Sequence, residues 1–304
     1  YFQRTCFHSS HGVDVEKMVF KLDSWLNWAF HAPPLSEQRK ISTILSSVDD
    51  TIEKSQLVIE ELQAVKKAMT QELLTRGIPG RHSRFKHTDH GQAPHDWRVS
   101  TLGEVLDGID AGWSPQCEGR PAAAGEWGIL KVSAVSWGEF RPEENKKLPD
   151  GLEPRPNISV RAGDVLLSRA NTPDLVGRTV IVREHYPNLM LSDKLLRLRP
   201  AGDLLGEYLN AVMSSAPVRQ RMQDGATGSS RSMKNISQEK LKSIVILVPS
   251  LDEQRYIADL LDSIDWRMTV EANAVRELRS VKSALLSLLL TGEIRVTPDP
   301  EPTP

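Results

Sequence analysis

The feature that most constrains this chain is a long internal repeat. Residues 35–78 and 251–294 align without a gap at a constant offset of 216, and 17 of the 44 aligned positions are identical. The shared residues include the triplet Glu37, Gln38 and Arg39, which returns as Glu253, Gln254 and Arg255. A repeat of this length limits the architecture before any other feature does. It predicts a two-fold plan, in which one long segment occurs twice around a large insert.

Both copies carry apolar residues at alternating steps of four and three, which is the seam pattern of a coiled coil. Neither copy contains Pro or Gly before Gly77 and Gly292, which stand where a helix would stop. A helix of this size is about 55 Å long and cannot bury its own stripe. We therefore expect the two helices to pack on each other, rather than to form two unrelated helical hairpins. The seam positions are Ile41, Leu45, Val48, Ile52, Ser55, Ile59, Leu62, Lys66, Met69 and Leu73, and then Ile257, Leu261, Ile264, Met268, Glu271, Val275, Leu278, Lys282, Leu285 and Leu289.

The insert between the copies has a different character. A linker rich in Pro, Gly and His extends from Gly77 to Pro94, and short β-type runs then alternate with turn residues. One helix is expected over Leu204–Gln223. This pattern predicts a globular α+β domain. The β-type runs are Gly128–Val135, Val165–Ser168, Val176–Val182, Lys194–Leu198 and Ile244–Val248.

The repeat also continues upstream of the first helix. Residues 1–34 resemble the end of a second copy of the globular domain, and the chain begins with Tyr1, so we expect a fragment or a shortened form of a longer protein. The aligned residues are Phe20, Trp25, Trp28, Phe30 and Pro33 with Ile236, Leu241, Ile244, Ile246 and Pro249. The predicted order is a domain remnant (1–34), the first helix (35–78), a complete domain (79–249), the second helix (250–294) and a disordered tail (295–304).

Composition excludes several classes of protein. The formal net charge is −2, but residues 161–242 carry 13 Lys and Arg against 8 Asp and Glu, whereas residues 101–150 carry 5 against 9. The cations are therefore concentrated in the second half of the globular domain. Cys6 and Cys117 have no paired spacing, which favours a reducing, cytoplasmic location over a disulfide framework. No apolar run has membrane-spanning length, and no signal peptide is present.

No catalytic motif was found. The sequence contains no Walker loop, GxGxxG, HExxH or GxSxG pattern, and Asn171-Thr172-Pro173-Asp174 only faintly resembles the motif of adenine methyltransferases. The histidines His82, His87, His90 and His95 lie in the linker without a nearby cysteine, and we interpret them as solvated rather than metal-binding. We expect no catalytic residue, no metal site and no cofactor in this chain. It has the features of a protein that binds and organises.

The chain carries the motifs Pro33-Pro34-Leu35-Ser36-Glu37-Gln38-Arg39 and Pro249-Ser250-Leu251-Asp252-Glu253-Gln254-Arg255, Trp97-x3-Thr101-Leu102-Gly103-Glu104, Gly163-Asp164-Val165-Leu166, and Gly228–Ile236. With these motifs in this order, the sequence resembles the specificity (S) subunit of type I restriction–modification enzymes. The resemblance implies an α+β target recognition domain together with two long helices that form an antiparallel coiled coil. In that family two such domains each read half of a split DNA site, and the helices hold them apart and dock methyltransferase subunits.

The resemblance also implies the partners. They are double-stranded DNA, methyltransferase (modification) subunits and restriction (translocase and nuclease) subunits, with no membrane. S-adenosylmethionine, ATP and Mg²⁺ are expected on those partner subunits. We expect this sequence to hold only the end of the first target recognition domain, which leaves self-association of this chain open. A coiled-coil scaffold, or an antirestriction-type decoy that binds protein instead of DNA, is the alternative.

Candidate DNA-binding residues follow from the chemistry of the double helix. Lys, Arg, Ser, Thr and backbone amides contact phosphates, while Arg, Asn, Gln and Lys read base edges. Three turn segments are rich in these groups, and ordinary solvated turns are the alternative interpretation. The tryptophans Trp97, Trp127 and Trp137 are interpreted as core. The candidates are Gly112, Ser114 and Gln116, then Arg169, Asn171 and Thr172, and then Ser229, Ser230, Arg231, Lys234 and Asn235.

The starts of the two helices supply candidates for docking a methyltransferase. They carry Gln38 and Arg39 in the first copy and Gln254 and Arg255 in the second. A helix start requires only a cap and a few acidic residues, so a repeated Arg predicts two equivalent docking sites. Local salt bridges, to Glu37 and Glu253 or to the opposite helix, are the alternative.

Overall fold

The computed structural model describes residues 2–11, 19–29, 32–88, 91–230 and 233–297. They form two compact units. One contains the chain up to Glu60 together with the part from Thr269 onward, and the other is Glu61–Met268. The helices are α1 (Phe2–His8), α2 (Leu22–Leu26), α3 (Leu35–Arg76), α4 (Leu102–Val105), α5 (Gly206–Ser214), α6 (Ala216–Gly225), α7 (Gln238–Lys242) and α8 (Leu251–Thr291).

The strands are short, and most of them belong to the second unit. They are β1 (Ser10–His11), β2 (Val19–Phe20), β3 (Phe85–Thr88), β4 (Gly91–Pro94), β5 (Arg98–Thr101), β6 (Leu106–Ala111), β7 (Gly128–Leu130), β8 (Asn145–Lys147), β9 (Ser159–Val160), β10 (Val165–Ser168), β11 (Ala170–Asn171), β12 (Thr179–Ile181), β13 (Tyr186–Met190), β14 (Leu195–Pro200), β15 (Thr227–Ser230), β16 (Met233–Asn235) and β17 (Val245–Val248).

The two repeated segments are the long helices α3 and α8, of 42 and 41 residues. Every seam position named above is buried or half-buried, and Ile52 and Val275 retain only 8% and 6% of their accessible surface. Both helices are followed by a glycine with positive φ, at 75° for Gly77 and 78° for Gly292, which is the usual C-terminal stop. The heptad pattern therefore predicted both helices and their buried faces.

The helices are antiparallel within each unit. In the first unit Arg295 binds Glu37 and Lys282 binds Asp49. In the second unit Lys66 binds Asp265, and the backbone amide of Ile78 donates to Glu253. In both cases residue numbers rise on one helix as those of their partners fall on the other. The expected antiparallel pairing is confirmed.

The first residues of the predicted disordered tail contact the start of the first long helix. Arg295 donates two hydrogen bonds to the Glu37 carboxylate, at 2.7 and 2.5 Å, and the amide of Val296 donates a third at 3.3 Å. The buried carboxylate of Glu37 thus binds the chain directly beyond the helix, and disorder of the tail stays a prediction. Residues 298–304 lie outside the described part of the chain.

The globular part of the second unit is built on an antiparallel four-stranded sheet in the order β12-β10-β14-β6. A second sheet has the order β8-β7-β13-β9, with β7 and β13 parallel. Strand β10 contributes side chains to two hydrophobic cores, because successive side chains of a strand point to opposite faces of the sheet. Val165 and Leu167 join one core, and Leu166 joins the other. The α+β fold class is confirmed.

Two details of this domain differ from the sequence-based expectation. The single helix expected over Leu204–Gln223 is broken at Ser215, whose ψ of 146° is extended, and Pro217 lies in the first turn of α6. Proline is favoured there because the first turn leaves its backbone amides unbonded anyway. In the linker, strands β3 and β4 form a hairpin, and His82 is buried rather than solvated. His90 lies outside the described residues.

The elements before the first long helix repeat those that end the globular domain. At the offset of 216, α2 coincides with α7, β1 and β2 correspond to β15 and β16, and α1 corresponds to part of α6. The environments differ, however. Phe20 is 45% exposed where Ile236 is fully buried, and Trp28 is 42% exposed where Ile244 is 3% exposed. Phe30 lies outside the described residues.

Candidate nucleic-acid interface

Strand pairing brings two of the three predicted DNA-binding segments together, namely residues 168–172 and the described part of residues 225–235. Ala170 and Asn171 of β11 lie opposite Asn235 and Lys234 of β16, and the amide of Ile236 donates to the carbonyl of Arg169 at 3.0 Å. The amide of Arg169 donates in turn to the carbonyl of Lys194 at 2.8 Å. We call the region formed by residues 112–116, 136–137, 168–172, 193–194, 227–230 and 233–235 the polar surface.

The remaining predicted segment, residues 112–116, contacts residues 191–193 and thereby lies in the polar surface. The amide of Trp113 donates to the carbonyl of Leu191 at 2.9 Å. Ser114 donates to Asp193 at 2.5 Å and accepts from the Asp193 amide at 3.1 Å. A Cβ atom at Gly112 would lie 2.2 Å from the carbonyl oxygen of Leu191. Gly112 is therefore required for contact within the chain itself, whereas the side chain of Gln116 is exposed.

Asn171 is a scaffold residue in this structure. Its side chain is 8% exposed, and its amide nitrogen donates to Ser136 at 3.0 Å and to Ser168 at 3.2 Å. Its amide oxygen accepts from the backbone of Thr172 at 2.9 Å. Both amide hydrogens are thus used inside the domain, which favours a structural role, and the predicted contact of Asn171 with DNA stays a prediction. Thr172 itself is exposed.

Arg169, Lys194 and Lys234 supply the positive charge of the polar surface. Arg169 is half-buried, and its Nε atom is covered without a hydrogen-bond partner among the described residues. Lys194, which the sequence analysis did not single out, is exposed. Lys234 is half-buried, and its ammonium group donates to the carbonyl of Gly228 at 2.9 Å. Charged donors of this kind are suited to phosphate oxygens.

The third segment is described only in part. Strands β15 and β16 pair antiparallel, with Thr227 opposite Asn235 and Ser230 opposite Met233. Asn235 is exposed on this hairpin. Ser229 and Ser230 lie on β15, and Arg231 lies outside the described residues, so its predicted contact with DNA stays a prediction.

A buried arginine behind the polar surface supports the loop after Thr172. Arg219 donates to the carbonyls of Val176 and Asp174 at 2.6 and 2.7 Å. Burial lowers the pKa of the Arg219 guanidinium to about 10, which leaves it charged at neutral pH. Its donors are aimed at the backbone, so its role here is to hold the loop in shape.

Trp137 is the aromatic residue that the sequence analysis placed incorrectly. Trp97 is buried at 1% exposure, as expected, and Trp127 is half-buried, but Trp137 is 59% exposed. It follows Ser136, whose hydroxyl accepts from Asn171, and it precedes Gly138 with φ of 86°. Gly138 permits a turn directly after Trp137, and the Trp-Gly pair was the signal available in the sequence.

The predicted docking residues have different environments. Gln254 is fully buried, where it donates to the carbonyls of Asp203 and Pro249, both at 2.9 Å, and accepts from the amide of Leu205 at 2.8 Å. This side chain holds α8 to its own domain, and the docking role predicted for Gln254 stays a prediction. Gln38 is exposed and donates to the carbonyl of Pro33 at 2.7 Å.

The two arginines at the helix starts are exposed. Arg255 lies 3.6 Å from Asp252, and Arg39 is also exposed. Glu37 and Glu253, the salt-bridge partners considered for these arginines, are both buried and bind other groups. The exposed positions that remain for a partner are therefore Gln38, Arg39 and Arg255.

Two further findings concern the described part of the chain. Among the described residues, no group of three or more His, Cys, Asp or Glu side chains is arranged to hold a metal ion. None of the helices described is both long and apolar enough to cross a membrane.

The fold defines a class of protein in which an α+β domain is attached to a pair of antiparallel helices. Residues 94–279 match the family model of the type I restriction modification DNA specificity domain. The chain belongs to this family, that of the specificity subunits of type I restriction–modification systems. This range includes the described parts of the polar surface and most of α8.

Individual relatives agree with this assignment. The chain is 35% identical over 160 residues to the EcoEI specificity subunit of Escherichia coli, which covers 52% of the chain and 27% of the relative. It is 29% identical over 290 residues to the MjaVIII specificity subunit of Methanocaldococcus jannaschii, covering 93% of the chain and 64% of the relative. The match therefore spans less than two thirds of either relative's own length. Both are named as specificity subunits, which agrees with the expected non-catalytic role.

Solved structures show the same fold. The HsdS subunit from Thermoanaerobacter tengcongensis superposes with a TM-score of 0.51 at 20% identity, over 96% of this chain and 68% of that one. A chain from a structural study of complex assembly and conformational transition in the type I restriction–modification system gives 0.59 at 20% identity, over 97% and 69%. At this identity the likeness supports the fold alone.

Proposed function

We propose that this chain binds double-stranded DNA in a sequence-specific manner and that its globular domain reads one half of a bipartite site. The observation that carries the proposal is the convergence of the three predicted segments on one polar surface. They are distant in sequence, and strand pairing and backbone hydrogen bonds bring them together around Arg169. Arg169, Thr172, Lys194, Lys234 and Asn235 provide donors for phosphates and base edges.

The long helices serve in this proposal as a spacer and as a docking element. DNA half-sites recur on one face about every 34–36 Å, so a helix of α3's length is suited to separating two reading domains. Methyltransferase subunits would dock on the exposed helix faces near Gln38, Arg39 and Arg255. Restriction subunits would join that complex, and S-adenosylmethionine, ATP and Mg²⁺ would be bound by the partners. Self-association of the chain is a further proposal that a mass measurement can test.

Enrichment from a pool of randomised DNA duplexes tests the proposal. The purified chain is incubated with the pool, and the bound fraction is sequenced over several rounds. A reader of one half-site enriches one short motif, and the isolated motif binds more tightly than a scrambled duplex. A bound fraction with no enriched motif would contradict sequence-specific reading.

The second candidate is a scaffold or antirestriction-type decoy whose globular domain binds protein. The exposed Tyr256 on α8, at 51%, favours a protein contact on the helices. This candidate predicts that methyltransferase capture persists while duplex binding is absent. Arg39→Ala and Arg255→Ala together would then weaken capture, whereas Arg267→Ala, farther along α8, serves as the control.

A further inference from the structure

The globular domain exposes two large apolar side chains on its polar surface. Among the large hydrophobic residues described between positions 94 and 249, Trp137 is the most exposed, at 59%, and Met233 is the next, at 45%. Both flank the same residue. Trp137 follows Ser136, which binds the Asn171 amide, and Met233 precedes Lys234, which lies opposite Asn171 in the β11–β16 pair.

The chain around Trp137 is held firmly. Ala134 and Val135 are fully buried and Ser136 is 3% exposed. The amide of Arg141 donates to the carbonyl of Ala134 at 3.0 Å, and the ring of Phe140 packs on Tyr186 with centroids 5.3 Å apart. A large apolar side chain that stays exposed to water on a turn anchored by buried residues gives up the free energy of burial. Such a position is typical of a contact that becomes buried when a ligand binds.

We propose that Trp137 and Met233 make apolar contacts with DNA bases and that these contacts set part of the sequence preference of the domain. The inference rests on the proposed function, because it assigns part of the sequence-specific DNA binding to these two residues. Their neighbours Lys194 and Lys234 bear charges suited to phosphates, while an indole and a thioether bear none. Apolar side chains contact thymine methyl groups in the major groove or lie against base steps in the minor groove. The surface thus combines charged groups for the backbone with apolar groups for the bases.

The test compares Trp137→Ala, Met233→Ala and the wild-type chain in the randomised-duplex enrichment and in a salt titration of the enriched duplex. Trp266→Ala is the matched control, because Trp266 is 67% exposed but lies on α8 away from the polar surface. All three substitutions replace exposed side chains, so circular dichroism and the unfolding midpoint are expected to match the wild type. Lys194→Ala provides a charge-removing comparison.

Trp137→Ala is expected to weaken binding of the enriched duplex by roughly tenfold and to relax the preference at one or more base-pair positions. The salt slope stays unchanged, because no phosphate contact is lost, whereas Lys194→Ala lowers the slope by about one unit. Met233→Ala gives a smaller effect of the same kind, and Trp266→Ala gives none.

Three results would overturn the inference. They are an unchanged preference in both variants, an equal loss of affinity on all sequences, and a loss that Trp266→Ala reproduces. A wild-type chain that enriches no motif would instead overturn the proposed function, and the inference with it. The two failures are therefore distinguishable.

Discussion

Lys66 of α3 donates a hydrogen bond from its ammonium group to Oδ1 of Asp265 on α8, at 2.5 Å. The repeat offset of 216 converts this pair into Lys282 and Asp49, which also bind each other, at 2.5 Å. Because two similar copies pack antiparallel, this contact occurs twice, once in each unit. A parallel arrangement in register would instead place Lys66 beside Lys282. Polar residues at seam positions commonly select one register in this way.

The Lys66–Asp265 pair is expected to contribute modestly to stability. Its side chains are 35% and 45% exposed, so solvent screens the attraction. A double-mutant cycle with Lys66→Ala and Asp265→Ala should give a coupling free energy of about 0.2–1 kcal/mol in urea unfolding. Lys67→Ala combined with Asp265→Ala is the control, because Lys67 is exposed outside the seam. Equal coupling in both cycles would contradict the pairing.

Glu253 is expected to contribute far more to the free energy of unfolding than the exposed ion pairs do. Its carboxylate accepts from Trp97 Nε1 at 3.1 Å and from the Ile78 amide at 3.2 Å, and it lies 2.7 Å from His82 Nε2. Glu253→Ala leaves these buried groups without their partner and should reduce the free energy of unfolding by roughly 3–5 kcal/mol.

Glu253→Gln keeps an acceptor and should cost less than Glu253→Ala. Glu277→Ala on the exposed face of α8 is the control and should change stability by no more than about 0.5 kcal/mol. Equal unfolding midpoints for Glu253→Ala and Glu277→Ala would show that the network around Glu253 contributes nothing.

Glu37 occupies the position in the first repeat that Glu253 occupies in the second. We expect its carboxylate to make the stability of the fold depend on pH. The hydrogen bonds from Arg295 hold the pKa of Glu37 below its ordinary value of 4.5. A lowered pKa in the folded state stabilises the fold fully above the ordinary pKa, and this stabilisation is lost as the pH falls through the lowered value. The stability difference between wild type and Arg295→Ala should therefore be larger at neutral pH than in acid. The exposed Arg279→Ala is the control, and a difference independent of pH would refute the linkage.

Substitutions of Asn171 and Thr172 should distinguish an effect on the stability of the domain from an effect on duplex binding. Asn171→Ala removes the buried amide that binds Ser136, Ser168 and the Thr172 backbone, and it should destabilise the domain by about 1–3 kcal/mol. Thr172→Ala changes an exposed side chain and should leave stability within about 0.5 kcal/mol while weakening duplex binding. Denaturant unfolding and duplex anisotropy measure the two effects. A stable Asn171→Ala variant with weak binding would return Asn171 to the role of base reader.

The helices were predictable because their pattern is local and repeated. Ile52 and Val275 occupy seam positions that the heptad alone identifies, and both are buried. The burial of Gln254 could not be predicted from the heptad pattern. The triplet around it occurs in both copies, but Gln254 is buried against residues 203–205 while Gln38 is exposed. Only the fold shows which copy has a domain packed against it.

The sequence analysis identified segments that the structure brings together, but not the environments of their residues, and their contact with DNA stays a prediction. Turn-rich composition identified residues 112–116, 168–172 and 225–235, and the structure joins them. Composition does not show that Asn171 directs its amide inward or that Trp137 directs its ring outward. Those roles depend on the hydrogen bond between Ser136 and Asn171, which joins residues 35 positions apart.

The most direct test of the account is the salt dependence of duplex binding by the intact chain, measured by fluorescence anisotropy with the enriched duplex and with its scrambled counterpart. The account predicts that the logarithm of the association constant falls linearly with the logarithm of salt concentration, with a slope of about −0.9 for each phosphate contacted. It also predicts tighter binding of the enriched duplex at every salt concentration. Binding that is absent at low salt, or that is equal for both duplexes, would contradict the claim that this chain reads DNA sequence.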